Sequence, residues 1–176
     1  MTASRVYIIT LVMLALVSVQ VLSAKSTNAT VIAKSSAAAA LKPEGVRVSI
    51  ELVAAERRNN QTLASRIAKV PSGKSLYLVF KNLNTPKQPE ELYNVYINLE
   101  EGKTPTTADT PAGTINFYNF ARKSSPDAFF SFDVTEALKK LVAEKRLSDL
   151  VITIVPAAPP AEGVVPTIGQ IELVEQ

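Results

Sequence analysis

Leu150-Val-Ile-Thr-Ile-Val155 is an apolar run with a single hydroxyl, entered through the turn residues Ser148-Asp149 and closed by Pro156. A run this short and this rich in β-branched residues predicts a strand buried on both faces, because a helix of that apolarity would need about twice the length. Such a strand must be flanked by others, and the sequence supplies them. Val46, Val48, Ile50 and Leu52 alternate with more polar neighbours in a half-buried strand, and Leu76-Tyr-Leu-Val-Phe80 is a short apolar strand after the Pro71-Ser-Gly73 turn. From Leu92 to Leu99, Tyr93, Val95 and Ile97 take the inward positions and Asn94, Tyr96 and Asn98 the outward ones. Gly113 to Phe120, Ala128 to Phe132 and Thr167 to Val174 complete the set.

One helix is expected among them, starting at Asp133. Asp133 is placed to cap the free N–H groups with Glu136 as its capping-box partner, and Val134, Ala137, Leu138, Leu141 and Val142 recur at helical spacing. Leu63 to Val70 has no clear period. Many short strands with one short helix predict a mainly β fold, an antiparallel, jelly-roll-like β-sandwich, preceded by an N-terminal apolar helix.

The N-terminus is of another kind. Arg5 precedes an apolar run from Val6 to Leu22 that exits through Ser23 and Ala24. This is the layout of a secretory signal peptide, and its length also suits an uncleaved membrane anchor. Either reading expects an exported protein, secreted, periplasmic or tethered outside the cytoplasm. The expected organisation is a signal peptide or anchor over residues 1–24, a Ser/Ala-rich linker over 25–44 and a β-domain over 45–176.

The chain has no histidine and no cysteine. That removes the commonest general base and metal ligand, together with disulfides and thiolate nucleophiles. The pairs Glu90-Glu91 and Glu100-Glu101 are adjacent, and strand neighbours point to opposite faces, so neither pair chelates well. Ser72, Ser124 and Ser125 have only Lys74 and Lys123 as nearby bases, in turn-like surroundings. The net charge of +3 is scattered, without the basic stripe of a nucleic-acid binder. No enzyme, cofactor or metal site is expected. Gly163 and Gly169 read as turn and bulge glycines, and Asn28-Ala-Thr30 and Asn60-Gln-Thr62 match the N-glycosylation pattern.

Four aromatics stand out. Tyr96, Tyr118 and Phe120 take outward positions on strands whose other face supplies the core, and Phe129 does so just before the helix. An apolar surface patch marks a partner site, unless the helix or a second sheet covers it.

In order and spacing, Leu92-Tyr-Asn-Val-Tyr-Ile-Asn98, Pro111-Ala-Gly-Thr-Ile-Asn-Phe117, Phe132-Asp-Val-Thr-Glu-Ala-Leu138, Asp149-Leu-Val-Ile-Thr-Ile-Val-Pro156 and Pro166-Thr-Ile-Gly-Gln-Ile-Glu-Leu173 form one series. This series resembles the C-terminal β-domain of the tyrosinase and polyphenol oxidase family, over Val46 to Val174. Tyr93-Asn94 stands where that family has Phe-Asp. In the family this domain sits over the copper centre of a catalytic domain and shields it, and the copper domain is missing here. The resemblance therefore implies a non-catalytic accessory or interaction module, paired with a separately encoded tyrosinase-like copper protein. Tyr96, Tyr118, Phe120 and Phe129 are its candidate partner face. The alternative is an exported β-sandwich that binds a polysaccharide or cell-envelope component.

Overall fold

The computed structural model describes residues 29–106, 109, 111–118, 120 and 129–176. The expected signal or anchor, the glycosylation candidate Asn28, Lys123 to Ser125 and Ala128 lie outside the described residues. In chain order the elements are β1 (Thr30–Ser35), β2 (Ala39–Ala40), β3 (Val46–Leu52), α1 (Ala54–Arg58), α2 (Leu63–Ala68), β4 (Leu76–Asn84), β5 (Tyr93–Ile97), β6 (Gly113–Ile115), β7 (Phe129–Asp133), α3 (Thr135–Ala143), β8 (Leu150–Pro156) and β9 (Thr167–Glu175).

The fold is mainly β, as expected, but the strands form one sheet and not the two facing sheets of a sandwich. The order is β6-β5-β8-β3-β1-β9-β4-β7, with β2 also on β9, and every pairing is antiparallel. The sheet rolls until its outer strands meet. A Cβ built on Gly113 of β6 would fall 2.3 Å from the ring of Phe132 on β7. No backbone pairing joins β6 to β7 among the described residues, and aromatic rings fill the seam instead. Tyr93 packs on Phe117 at 5.6 Å between centroids, Phe117 on Phe120 at 6.0 Å, Phe120 on Phe130 at 6.4 Å, Phe130 on Phe132 at 6.4 Å and Phe132 on Phe80 at 5.7 Å.

The twist that permits this roll is visible in β4 and β9. Leu76, Leu78 and Phe80 point into the core, then the phase shifts so that Leu83 is buried in place of Asn82. Asn82 has φ 55° there, and Gly169 stands opposite it, where an added Cβ would fall only 2.6 Å from the Asn82 Cβ. Only glycine leaves room for that kink.

Within the stretch 25–44, expected to be a Ser/Ala-rich linker, Thr30–Ser35 and Ala39–Ala40 are strands of the sheet. Thr30–Ser35 lies between β3 and β9 with Ile32 and Ala33 fully buried, and the Ser35 hydroxyl accepts the Ile171 N–H at 3.1 Å. Small residues suit this strand because it is crowded on both sides. The unperiodic Leu63 to Val70 contains α2, whose Thr62 and Ser65 make the reciprocal capping box, with Leu63 and Ile67 buried. The box expected at Asp133 is not formed. Asp133 ends β7, its carboxylate accepts the Thr135 N–H at 2.9 Å and the Thr135 hydroxyl at 2.6 Å, and that hydroxyl accepts the Leu76 N–H at 2.8 Å. The helix start is thereby tied to β4, and Glu136 points to solvent.

Alternating strand directions give the roll two unlike ends. At one end α1 and α2 bridge β3 to β4 and α3 bridges β7 to β8, and Thr30 pairs with Glu175 there. The turn between β2 and β3, the loop from β4 to β5, the exit from β6 and the loop from β8 to β9 form the other end, which carries no helix among the described residues. At the helical end Glu175 is buried against Arg66 and Lys74, each at 2.8 Å, and Arg66 also meets Glu56 at 3.2 Å. Burial opposes the charge on Glu175, but the hydrogen bonds and charges of Lys74 and Arg66 outweigh it and hold its carboxyl below the ordinary value.

Two outcomes are expected. Gly113→Ala should cost about 1–3 kcal/mol by chemical denaturation, and clearly less in a Phe132→Leu background, since the clash is with that ring. Equal losses in both backgrounds would mean that the ring does not close the seam. A carboxyl whose folded pKa is lowered stabilises above its unfolded pKa and loses that contribution as pH falls through the folded one. Thermal melts should therefore be flat near neutrality and fall below about pH 4.5, with a shallower acid slope in Glu175→Gln. Glu175→Ala should cost on the order of 3 kcal/mol at neutral pH through its stranded cations.

Candidate functional site

β5 carries most of the features that bear on function. Tyr93 and Val95 point into the core, which puts Tyr96 on the outer face beside Thr153 of β8. Outward direction does not expose it: Tyr96 is only 8% accessible. The segment from Leu99 to Pro105 folds back beside it, and Arg47 pins that segment by donating to the Leu99 carbonyl at 2.7 Å and to the Thr153 hydroxyl at 3.4 Å. β5 itself ends at Ile97, and the next residue, Asn98, with φ of 49°, turns the chain away. The Asn98 side chain then replaces the lost ladder, accepting the Val151 N–H at 2.8 Å and donating to the Asp149 carbonyl at 2.8 Å.

Two open grooves flank Tyr96. One, of about 690 Å³, runs between the turn at Pro43 to Gly45, Arg47, Asn94 and residues 100–105. The other, of about 440 Å³, lies between residues 97–103 and α3, with Lys140, Glu144 and Arg146 on its wall. Its charges are largely matched: Lys103 meets Asp109 at 2.9 Å and Arg146 meets Glu144 at 3.2 Å. The Thr106 N–H, followed by Lys103 and the Thr106 hydroxyl, brings the Asp109 carboxyl down to about 2. Among the described residues no cluster of three or more acids could hold a metal ion. Ser72 and Lys74 do not form a dyad, since Lys74 is committed to Glu175.

The four candidate aromatics are not gathered on one face. Tyr118 is 71% exposed and Phe129 61% exposed, whereas Phe120 is half-buried between Phe117 and Phe130 in the seam and Tyr96 is covered as described. The exposed large apolar side chains also include two outside the four candidates, Leu92 at 50% and Val165 at 40%. A signal for each was present. Leu92 precedes the inward Tyr93 and so faces out, and of the adjacent Val164 and Val165 in a proline-bounded loop only one can point inward; Val164 does.

A family model described as a domain of unknown function, DUF7868, matches residues 28–176. The chain belongs to this family. No curated protein matches the DUF7868 chain. Among solved structures it is similar to a latent aurone synthase (polyphenol oxidase) from natural source, at 19% identity and TM-score 0.41 over 78% of this chain and 24% of that one. It is also similar to latent apple tyrosinase, at 15% identity and TM-score 0.39 over 81% of this chain and 26% of that one. The DUF7868 chain thus spans about a quarter of the length of each.

One internal group of this domain is out of balance. The Tyr93 ring is fully buried on Phe117, yet its hydroxyl has no hydrogen-bond partner among the described residues, and burial, with the nearby Glu91 charge, raises its pKa. Removing an unpartnered buried hydroxyl relieves a desolvation cost of about 1–3 kcal/mol. Tyr93→Phe should therefore leave the melting temperature unchanged or raise it, whereas Phe117→Ala should cost about 3–5 kcal/mol. A marked loss in Tyr93→Phe would mean that the hydroxyl has a partner after all.

Proposed function

We propose that this domain is a non-catalytic accessory module, exported from the cell, that docks on a separately encoded copper oxidase of the tyrosinase type. The observation that carries this reading is the exposure of Tyr118 and Phe129, outside the packed aromatic seam, since large exposed rings are the usual anchors of a protein interface. The partner class comes from the motif series between Leu92 and Leu173, which resembles the domain that shields a copper centre. Non-catalytic standing is supported by the sequence itself, since copper chemistry of that kind uses imidazole ligands and the chain has no histidine. The envelope-polysaccharide alternative gains less support. Sugar rings stack on open aromatic faces set along a groove, and the open rings of Tyr118 and Phe129 line neither groove, whose own aromatic, Tyr96, is covered.

The test mixes the purified domain with a recombinant tyrosinase catalytic domain lacking its own C-terminal β-domain. A saturable complex and a changed rate of diphenol oxidation are expected, while the isolated domain supplied with copper oxidises no diphenol. Phe129→Ala should weaken the complex by about 2 kcal/mol, and Phe120→Ala should act mainly on stability because its ring is part of the seam. If no complex forms at high micromolar concentrations, or if copper makes the domain itself an oxidase, this function is wrong.

A further inference from the structure

We infer that residues 99–105 form a strap over Tyr96 that lifts as a unit while the rest of the roll stays folded, and that the Arg47 guanidinium sets how often it lifts. The inference goes beyond the accessory reading and does not depend on it. Tyr96 lies on the outer face of β5, where a side chain is buried only if something outside the sheet lies over it. Its accessibility of 8% therefore measures the cover. The two grooves run along either side of that cover, since Tyr96, Glu100 and Lys103 line both.

Little holds the strap down. Leu99 is its one buried side chain; from Glu100 to Thr104 every residue is exposed, and Pro105 is half-buried. Its other polar contacts brace the loop against itself. The Lys103 N–H donates to the Glu100 carbonyl at 3.2 Å, and the Lys103 ammonium meets Asp109 at 2.9 Å. Among the described residues, the hydrogen bond that reaches the strap from the sheet is the one from Arg47 to the Leu99 carbonyl at 2.7 Å. A segment with so few buried apolar contacts opens locally at a fraction of the global unfolding free energy. The chain on either side is fixed, by the Asn98 amide on Val151 and Asp149 and by the Ala112 N–H on the Val95 carbonyl at 2.7 Å. Lifting therefore uncovers the Tyr96 ring and merges the two grooves into one trough with an aromatic floor, while Tyr93 and Val95 on the core side of β5 stay closed.

The test is nitration of the full chain with tetranitromethane, read tyrosine by tyrosine by mass spectrometry. In the wild-type protein Tyr118 should react fast, Tyr96 slowly and Tyr93 not at all. Arg47→Met keeps the length of the side chain and removes its donors. Losing that charge-assisted hydrogen bond should raise the rate at Tyr96 about tenfold or more, with Tyr93 still protected and the melting temperature kept. Arg47→Lys, which restores a donor, should fall between. Ile67→Ala, a deletion at a fully buried position of α2, should lower the melting temperature without selectively speeding Tyr96. Tyr96 as reactive as Tyr118 in the wild-type protein would mean that no strap covers it. An unchanged Tyr96 rate in Arg47→Met would mean that Arg47 does not hold the strap, and Tyr96 and Tyr93 becoming reactive together would mean that the whole domain opens. Each of these three results overturns the inference.

Discussion

Phe132 rests against the bare backbone of Gly113, and on that contact the roll of the sheet depends. Hydrogen bonds carry the sheet from β6 round to β7 and then stop, leaving two edges that a flat sheet would expose to other chains. The absence of a side chain on Gly113 lets the ring approach the backbone, and the row of rings from Tyr93 to Phe80 makes an aromatic seam in place of a ladder. Gly169 does similar work opposite Asn82, admitting the kink that lets β4 and β9 change the face they bury. Two glycines thus set the curvature, and the core forms inside it.

Polar groups are handled by local substitution at the places where this curvature breaks a ladder. The Asn98 amide stands in for a peptide unit where β5 turns off, Ser35 does so for β1 against Ile171, and Thr135 relays between Asp133 and Leu76 where β7 becomes a helix. The ion pairs of Glu175 do the same at the helical end. Not every group is so matched: among the described residues the buried Tyr93 hydroxyl has no hydrogen-bond partner, and neither has one side-chain oxygen of Gln61 or of Glu91.

The strands with strong alternation or continuous apolarity are legible from the residues alone, as β3, β4, β5, β8 and β9 demonstrate. What escapes such a reading is set by long-range crowding. Ile32-Ala33 in a Ser/Ala-rich stretch has no periodic signature, because a strand squeezed between two neighbours wants small side chains more than a pattern. α2 buries only Leu63 and Ile67, too few to show a period. Alternation is the same in a sandwich and in a rolled sheet, so the choice between them rests on the distant Gly113 and Phe132. The outward direction of Tyr96 follows from alternation; its burial comes from a backbone carbonyl held by Arg47, a contact between residues 52 positions apart. Tyr118 and Phe129 are legible as outward rings.

The pairing of Thr30 with Glu175 has a topological consequence. Since the first and last strands are neighbours in the ladder, a few residues could join them into a continuous hairpin, and the chain could be opened instead in the proline-rich loop between β8 and β9. Such a circularly permuted chain would keep every strand neighbour and both glycine approaches. The architecture is therefore a property of the ring of contacts, indifferent to the point at which the polypeptide is cut.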